Sequence, residues 1–139
     1  MRILGIDFGE RRVGVAISDS RGTLSTPLTT LRRKDDASLI AKLLEIVRQE
    51  SIEGLVVGEP RRLDGSRGAA AERVVAFADK LARAADLPCE LIDEVLTSVA
   101  AKQRLREIGV DPRRHPERID AMAAQIILQE ALDRRQATS

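Results

Sequence analysis

The sequence predicts an α/β fold: a mixed sheet, made of an antiparallel three-strand meander plus two parallel strands, with helices on both faces. Three observations lead there. The first third of the chain carries three short apolar runs separated only by turn residues. Beyond it, apolar runs at 54–58 and 89–93 alternate with stretches of helical period, and such alternation implies crossover connections and parallel pairing. The length of 139 residues suits one domain around one core, so residues 1–139 are expected to form a single unit.

Residues 2–8, Arg-Ile-Leu-Gly-Ile-Asp-Phe, are apolar as far as Asp7, the profile of a buried strand that stops at its polar end. Residues 12–18 resume after a turn at 9–11, and residues 22–29 follow Asp19-Ser-Arg-Gly, whose composition suits a hairpin loop. From Asp35, the positions Leu39, Ile40, Leu43, Leu44 and Val47 line one side of a helix, with Asp35 or Asp36 as its cap. Residues 54–58 form a strand, and Pro60 with Asp64-Gly65 makes a loop. A second helix, roughly 66–85, carries Val74, Phe77 and Leu81 at helical spacing until Pro88 closes it. Residues 89–93 are the last strand. Thr97 caps a third helix that turns Ala100, Ala101, Leu105 and Ile108 inward and ends at Gly109. The final helix is expected over about 119–134 with Asp120 in the position of an N-cap, and a frayed tail beyond Arg135.

Composition narrows the function classes. Hydrophobic residues at 43% and charged ones at 32% exclude a disordered chain. No apolar run approaches the ~20 residues that cross a bilayer, and the first residues enter a strand pattern without a signal-peptide profile, so a cytoplasmic protein with no membrane partner is expected. Cys89 is the one cysteine and has no metal-type ligands beside it, which suits a small buried hydrophobe. A net charge of +1 gives no global case for nucleic acid, so the arginines must be read locally: Arg11 and Arg12; Arg61, Arg62 and Arg67; Arg104, Arg106, Arg113, Arg114 and Arg118. With two phenylalanines, no tryptophan and no tyrosine, a row of stacked bases is poorly supported, and contacts to the sugar-phosphate backbone are the expected mode.

Ligands of such sheets gather at the carboxyl ends of the parallel strands, where Asp7, Glu59 and Asp93-Glu94 all fall. Each acid alone has a structural explanation, as a strand-end or loop hydrogen-bond acceptor or, for Asp120, a helix cap. Together, two strand ends and a helix start would assemble three carboxylates that repel one another and need positive charge. Hard oxygen ligands suit Mg²⁺ or Mn²⁺, and two such ions about 4 Å apart stabilise in-line displacement at phosphorus. No rival set competes. His115 sits in a loop between Arg114 and Pro116, the serines have no histidine-acid pair beside them, and no cysteine or histidine spacing suggests zinc.

Three motifs resemble the YqgF family, also called RuvX, of Holliday junction resolvases and pre-16S ribosomal RNA processing nucleases. They are Ile3-Leu4-Gly5-Ile6-Asp7-Phe8-Gly9 continuing through Arg12-Val13-Gly14-Val15-Ala16; Asp93-Glu94-Val95-Leu96-Thr97-Ser98-Val99-Ala100-Ala101; and Arg118-Ile119-Asp120-Ala121-Met122-Ala123-Ala124 followed by Ile127-Leu128-Gln129. The resemblance covers nearly the whole chain. It implies a ribonuclease H-like fold and a two-metal nuclease whose catalytic and metal-binding residues are Asp7, Glu94 and Asp120. The substrate it implies is precursor 16S RNA, processed at its 5′ end, or alternatively a Holliday junction or other DNA.

Two departures touch the implied cleft. Val95 stands where the family usually has arginine, and Gly58-Glu59-Pro60-Arg61-Arg62-Leu63-Asp64-Gly65-Ser66 replaces the usual Gly-Leu-Pro loop. Glu59 would then add a fourth carboxylate near the metals or belong to a solvated loop, and Arg61 and Arg62 would replace the lost cation. Arg61, Arg62, Arg113, Arg114 and Arg118 are expected to grip the backbone of structured RNA or of branched or single-stranded DNA, with the protein a monomer or homodimer. Two other readings are a nucleic-acid-binding scaffold that does not cut, and a nucleotide-binding module related to actin-like ATPases, suggested by Asp7-x-Gly9 and Gly14 but left without room for a second lobe.

Overall fold

Among the described residues, side-chain alternation along five strands of one sheet sets two apolar layers, one on each face. The computed structural model describes residues 1–60, 68–94 and 97–138, with the side chains of residues 94, 97–99 and 138 outside that description. In chain order the elements are β1 (Ile3–Phe8), β2 (Arg12–Ser18), β3 (Ser25–Arg32), α1 (Asp36–Gln49), β4 (Gly54–Pro60), α2 (Ala69–Ala85), β5 (Cys89–Glu94), α3 (Thr97–Glu107) and α4 (Pro116–Thr138). The sheet order is β3-β2-β1-β4-β5. β1, β2 and β3 pair antiparallel, whereas β4 joins β1 and β5 joins β4 in parallel, as the sequence predicts.

Leu4, Ile6, Val13, Val15, Leu55 and Val57 point to one face and pack with Leu39 and Leu43 of α1 and Val74, Phe77 and Leu81 of α2. Ile3, Ala16, Val56 and Ile92 point to the other and meet Ala124, Ile127, Leu128 and Leu132 of α4. Helices therefore cover both faces. α3 lies against α4 with Ala101 and Leu105 buried, but Ala100 and Ile108 are exposed, against expectation. α3 ends at Glu107, so Ile108 belongs to the turn that follows and no longer follows the helical stripe.

Two boundaries differ from those predicted for local chemical reasons. β3 begins at Ser25 because Asp19 accepts from the backbone N–H groups of Thr23 (2.8 Å) and Leu24 (3.3 Å), which holds residues 19–24 in a loop closed by Gly22 at φ +71. α4 begins at Pro116, where the missing N–H costs a helix nothing, one turn before the expected start. Its far end continues to Thr138, past the position where fraying is expected. Asp35 does cap α1, accepting from Ser38 N. Among the described residues no helix is long and apolar enough to cross a membrane.

α4 is tied to the edge strand by its own polar side chains. Gln129 accepts from the N–H of Ser25 (2.9 Å) and donates to the Thr23 carbonyl (3.0 Å), while Gln125 donates to Ser25 Oγ (3.0 Å). Gln129→Ala strands one donor and one acceptor in a partly buried place, so urea unfolding should show a loss of about 1–2 kcal/mol. Stability equal to the wild type would show that water replaces the glutamine without cost.

Candidate active site

β1 sends Ile3, Gly5 and Asp7 toward α4, and two glycines decide how near the helix comes. At Gly5 a Cβ would lie 2.7 Å from Leu128 Cβ and 3.2 Å from the Ala124 carbonyl. Moving from Gly5 to Asp7 advances about 6.7 Å along a strand, close to the 5.4 Å of the helical turn that separates Ala124 from Asp120. Gly14, the cross-strand partner of Asp7, lies directly beneath that turn. A Cβ there would fall 1.8 Å from the Asp120 carbonyl oxygen and 2.9 Å from Ala121 N. The bare backbone at Gly14 is thus what lets Asp120 reach Asp7.

Asp7 is half-buried at the end of β1, and among the described residues no donor bonds to its carboxylate. Burial first, and the charge of Asp120 second, push its carboxyl up to about 6 from 3.8. Among the described residues Asp120 has one cationic partner, Arg12, whose Nε donates to Oδ2 at 2.6 Å. One guanidinium among the described residues therefore faces two adjacent carboxylates, which leaves net negative charge on hard oxygen donors. That donor set fits a divalent cation such as Mg²⁺ or Mn²⁺. Helix capping does not explain Asp120, which sits in the second turn of α4 rather than at its cap.

Glu94 is the last residue of β5, paired with Pro60 and two positions beyond Ile92 of the α4-side core. Its side chain lies outside the described residues, so these bring together two of the three expected carboxylates. Glu59 corrects both readings made for it. β4 runs on to Pro60, and alternation puts Glu59 with Leu55 and Val57 on the α2 side, 1% exposed and facing away from Asp7. It is neither a fourth ligand nor a solvated loop residue.

Of the arginines expected to grip a substrate, Arg61 and Arg62 lie outside the described residues. Arg113 and Arg114 are exposed in the connection between α3 and α4, with their Nε atoms 3.4 and 3.9 Å from Asp111. Arg118 lines a groove of about 310 Å³ between β3 and α3, with Pro27, Leu105 and Ile108. His115 is exposed, 3.6 Å from Glu117. Burial, then Glu90, pushes the Cys89 thiol up to about 11, in keeping with an inert residue. Two residues of the site escaped sequence reasoning. Gly14 carried a signal, because glycine inside a strand marks close backbone approach. Arg12 carried none, because its partner is 108 positions away.

Known proteins resemble this chain at every level. A family model described as "RuvX: Holliday junction resolvase" matches residues 1–134. A protein of Chloroflexus aurantiacus named "Putative pre-16S rRNA nuclease" is 45% identical over 135 residues, 97% of this chain and 88% of its own length. One of the same name from Moorella thermoacetica is 47% identical over 134 residues, 96% of each chain. The fold is shared with Thermus thermophilus RuvC in complex with a Holliday junction substrate, at a TM-score of 0.63 and 17% identity, covering 100% of this chain and 98% of that one. It is also shared with the Fowlpox virus resolvase bound to Holliday junction DNA, at a TM-score of 0.60 and 8% identity, covering 97% and 99%.

Proposed function

The chain belongs to the RuvX family, and on that premise we propose that it is a nuclease in which Asp7, Glu94 and Asp120 hold divalent metal, Mg²⁺ or Mn²⁺, for phosphodiester hydrolysis. The observation that carries this reading is the Asp7–Asp120 pair, seated together over Gly14 with, among the described residues, one arginine against two carboxylates. Bound there, a divalent cation would neutralise the pair and supply the Lewis acidity that phosphodiester hydrolysis needs at neutral pH. The residues divide the remaining work. Asp7 is fixed by the central strand, Asp120 is aimed by Arg12, and Glu94 is offered from the end of β5. Arg61, Arg62, Arg113, Arg114 and Arg118 would hold the nucleic-acid backbone on either side, without reading its sequence.

The substrate favoured here is precursor 16S ribosomal RNA, trimmed at its 5′ end in the cytoplasm, as the name of the 45% identical relative suggests. Junction DNA is the second reading, motivated by the family's description. Paired cuts on a junction call for a two-fold dimer, so sedimentation as a monomer would favour RNA. The test is incubation of end-labelled precursor RNA, single-stranded DNA and a four-way junction with Mg²⁺, Mn²⁺ or EDTA. Metal-dependent cutting of the RNA is expected, and absence of cutting on every substrate would overturn the nuclease reading.

A further inference from the structure

Arg12 opens β2, Arg32 closes β3, and the two face each other in the antiparallel register. Residues directly opposed on neighbouring strands stand on the same face of a sheet, where like charges repel. Arg12 fixes which face, because its Nε bonds Asp120 of α4. Thr30, two residues before Arg32, agrees: its hydroxyl donates to the Glu117 carbonyl in the first turn of α4. Both guanidinium groups therefore start from the side of the sheet that carries Asp7 and Asp120.

Their partners are unequal. Asp120 answers Arg12, but Arg32 is exposed on the edge strand, and among the described residues no carboxylate pairs with it. The adjacent Arg33 shows the contrast. Turned to the other face, it donates to Asp36 at 3.1 and 3.2 Å and to the Glu10 carbonyl at 3.1 Å, and lies 4.9 Å from the centre of the Phe8 ring. Arg33 is held in place by the fold, whereas Arg32 adds repulsion to the sheet and gains no anion from it.

We infer that the Arg12–Arg32 pair is a phosphate-binding site for the nucleic-acid strand adjoining the bond to be cut, an inference that rests on the nuclease reading. A backbone phosphate set between the two strand ends would relieve the repulsion and accept charge-assisted hydrogen bonds from the planar fork of Arg32, with Arg12 shared between that phosphate and Asp120. The site would take RNA or DNA alike, since it contacts no base.

The test is fluorescence anisotropy of a labelled single-stranded RNA oligomer, in EDTA and over a series of salt concentrations, with the wild type, Arg32→Gln, Arg32→Lys and Lys42→Gln. Lys42 is exposed on α1, across the sheet, and its variant removes the same charge from the opposite side. Arg32→Gln is expected to weaken binding at every salt concentration and flatten the plot of log affinity against log salt by about 0.7. Arg32→Lys should keep the wild-type slope, and Lys42→Gln should change neither quantity. In Mg²⁺, Arg32→Gln should raise KM with kcat preserved. Wild-type affinity and slope in Arg32→Gln, or an equal loss in Lys42→Gln, overturns the site while leaving the nuclease reading intact. Failure of the wild type to bind or cut RNA or DNA overturns both.

Discussion

Asp7→Asn is expected to abolish cleavage and, in the same protein, to stabilise the metal-free fold. Loss of a ligand removes several kcal/mol of charge stabilisation at the reacting phosphate, which corresponds to a fall in rate of about 10³-fold or more. The stability gain follows from the carboxyl's environment. Its value is about 6 in the folded protein against 3.8 as the ordinary value, so the folded state holds this proton more tightly than the unfolded chain does. The stability that goes with protonation is complete below the unfolded value and is lost as pH rises through the folded one. At neutral pH an ionised Asp7 therefore costs about 2 kcal/mol after allowance for its partial exposure. Urea unfolding in EDTA should find Asp7→Asn more stable than the wild type above the window and equal to it below. A variant less stable at neutral pH would mean that the carboxylate is better accommodated than its surroundings indicate.

Gly14→Ala should lose both stability and activity. The added Cβ would meet the Asp120 carbonyl at 1.8 Å, and the obstacle is backbone, which cannot turn aside as a side-chain tip can. Either β2 bends or α4 lifts, and unfolding should record a loss of about 3 kcal/mol. The helix carries Asp120 with it. Displacement of a catalytic group by about 1 Å costs on the order of 10²-fold, so the fraction that remains folded should cleave at about one hundredth of the wild-type rate. Wild-type stability would contradict the close approach. Wild-type activity in a destabilised variant would separate packing at Gly14 from the position of Asp120.

The strands that carry Asp7 and Glu94 could be read from the sequence because each is a short apolar run ended by an acid. Asp120 could be read as an acid brought beside the strand ends, but the start expected at about residue 119 also offered capping as its reason; the start at Pro116 puts it in the second turn and removes that reason. Glu59 was misread through a strand end: with the strand stopped at residue 58 it fell in a loop, whereas two more residues of the same alternation bury it beside Val57. The Arg12–Asp120 bond spans most of the chain, and no local pattern encodes a contact between a strand start and a distant helix. Arg113 and Arg114 read as substrate contacts, yet both have Asp111 at hand, a local pairing that a count of arginines does not reveal.

Asp7, Glu94 and Asp120 are expected to bind metal together, and calorimetric titration of Mn²⁺ into the wild type, Asp7→Asn, Glu94→Gln and Asp120→Asn tests that most directly. Uptake by the wild type is predicted, with each variant weakened by more than the roughly 10–100-fold that loss of a supporting contact alone costs. A wild type that takes up no Mn²⁺, or an Asp7→Asn variant that binds it as tightly, would contradict the account.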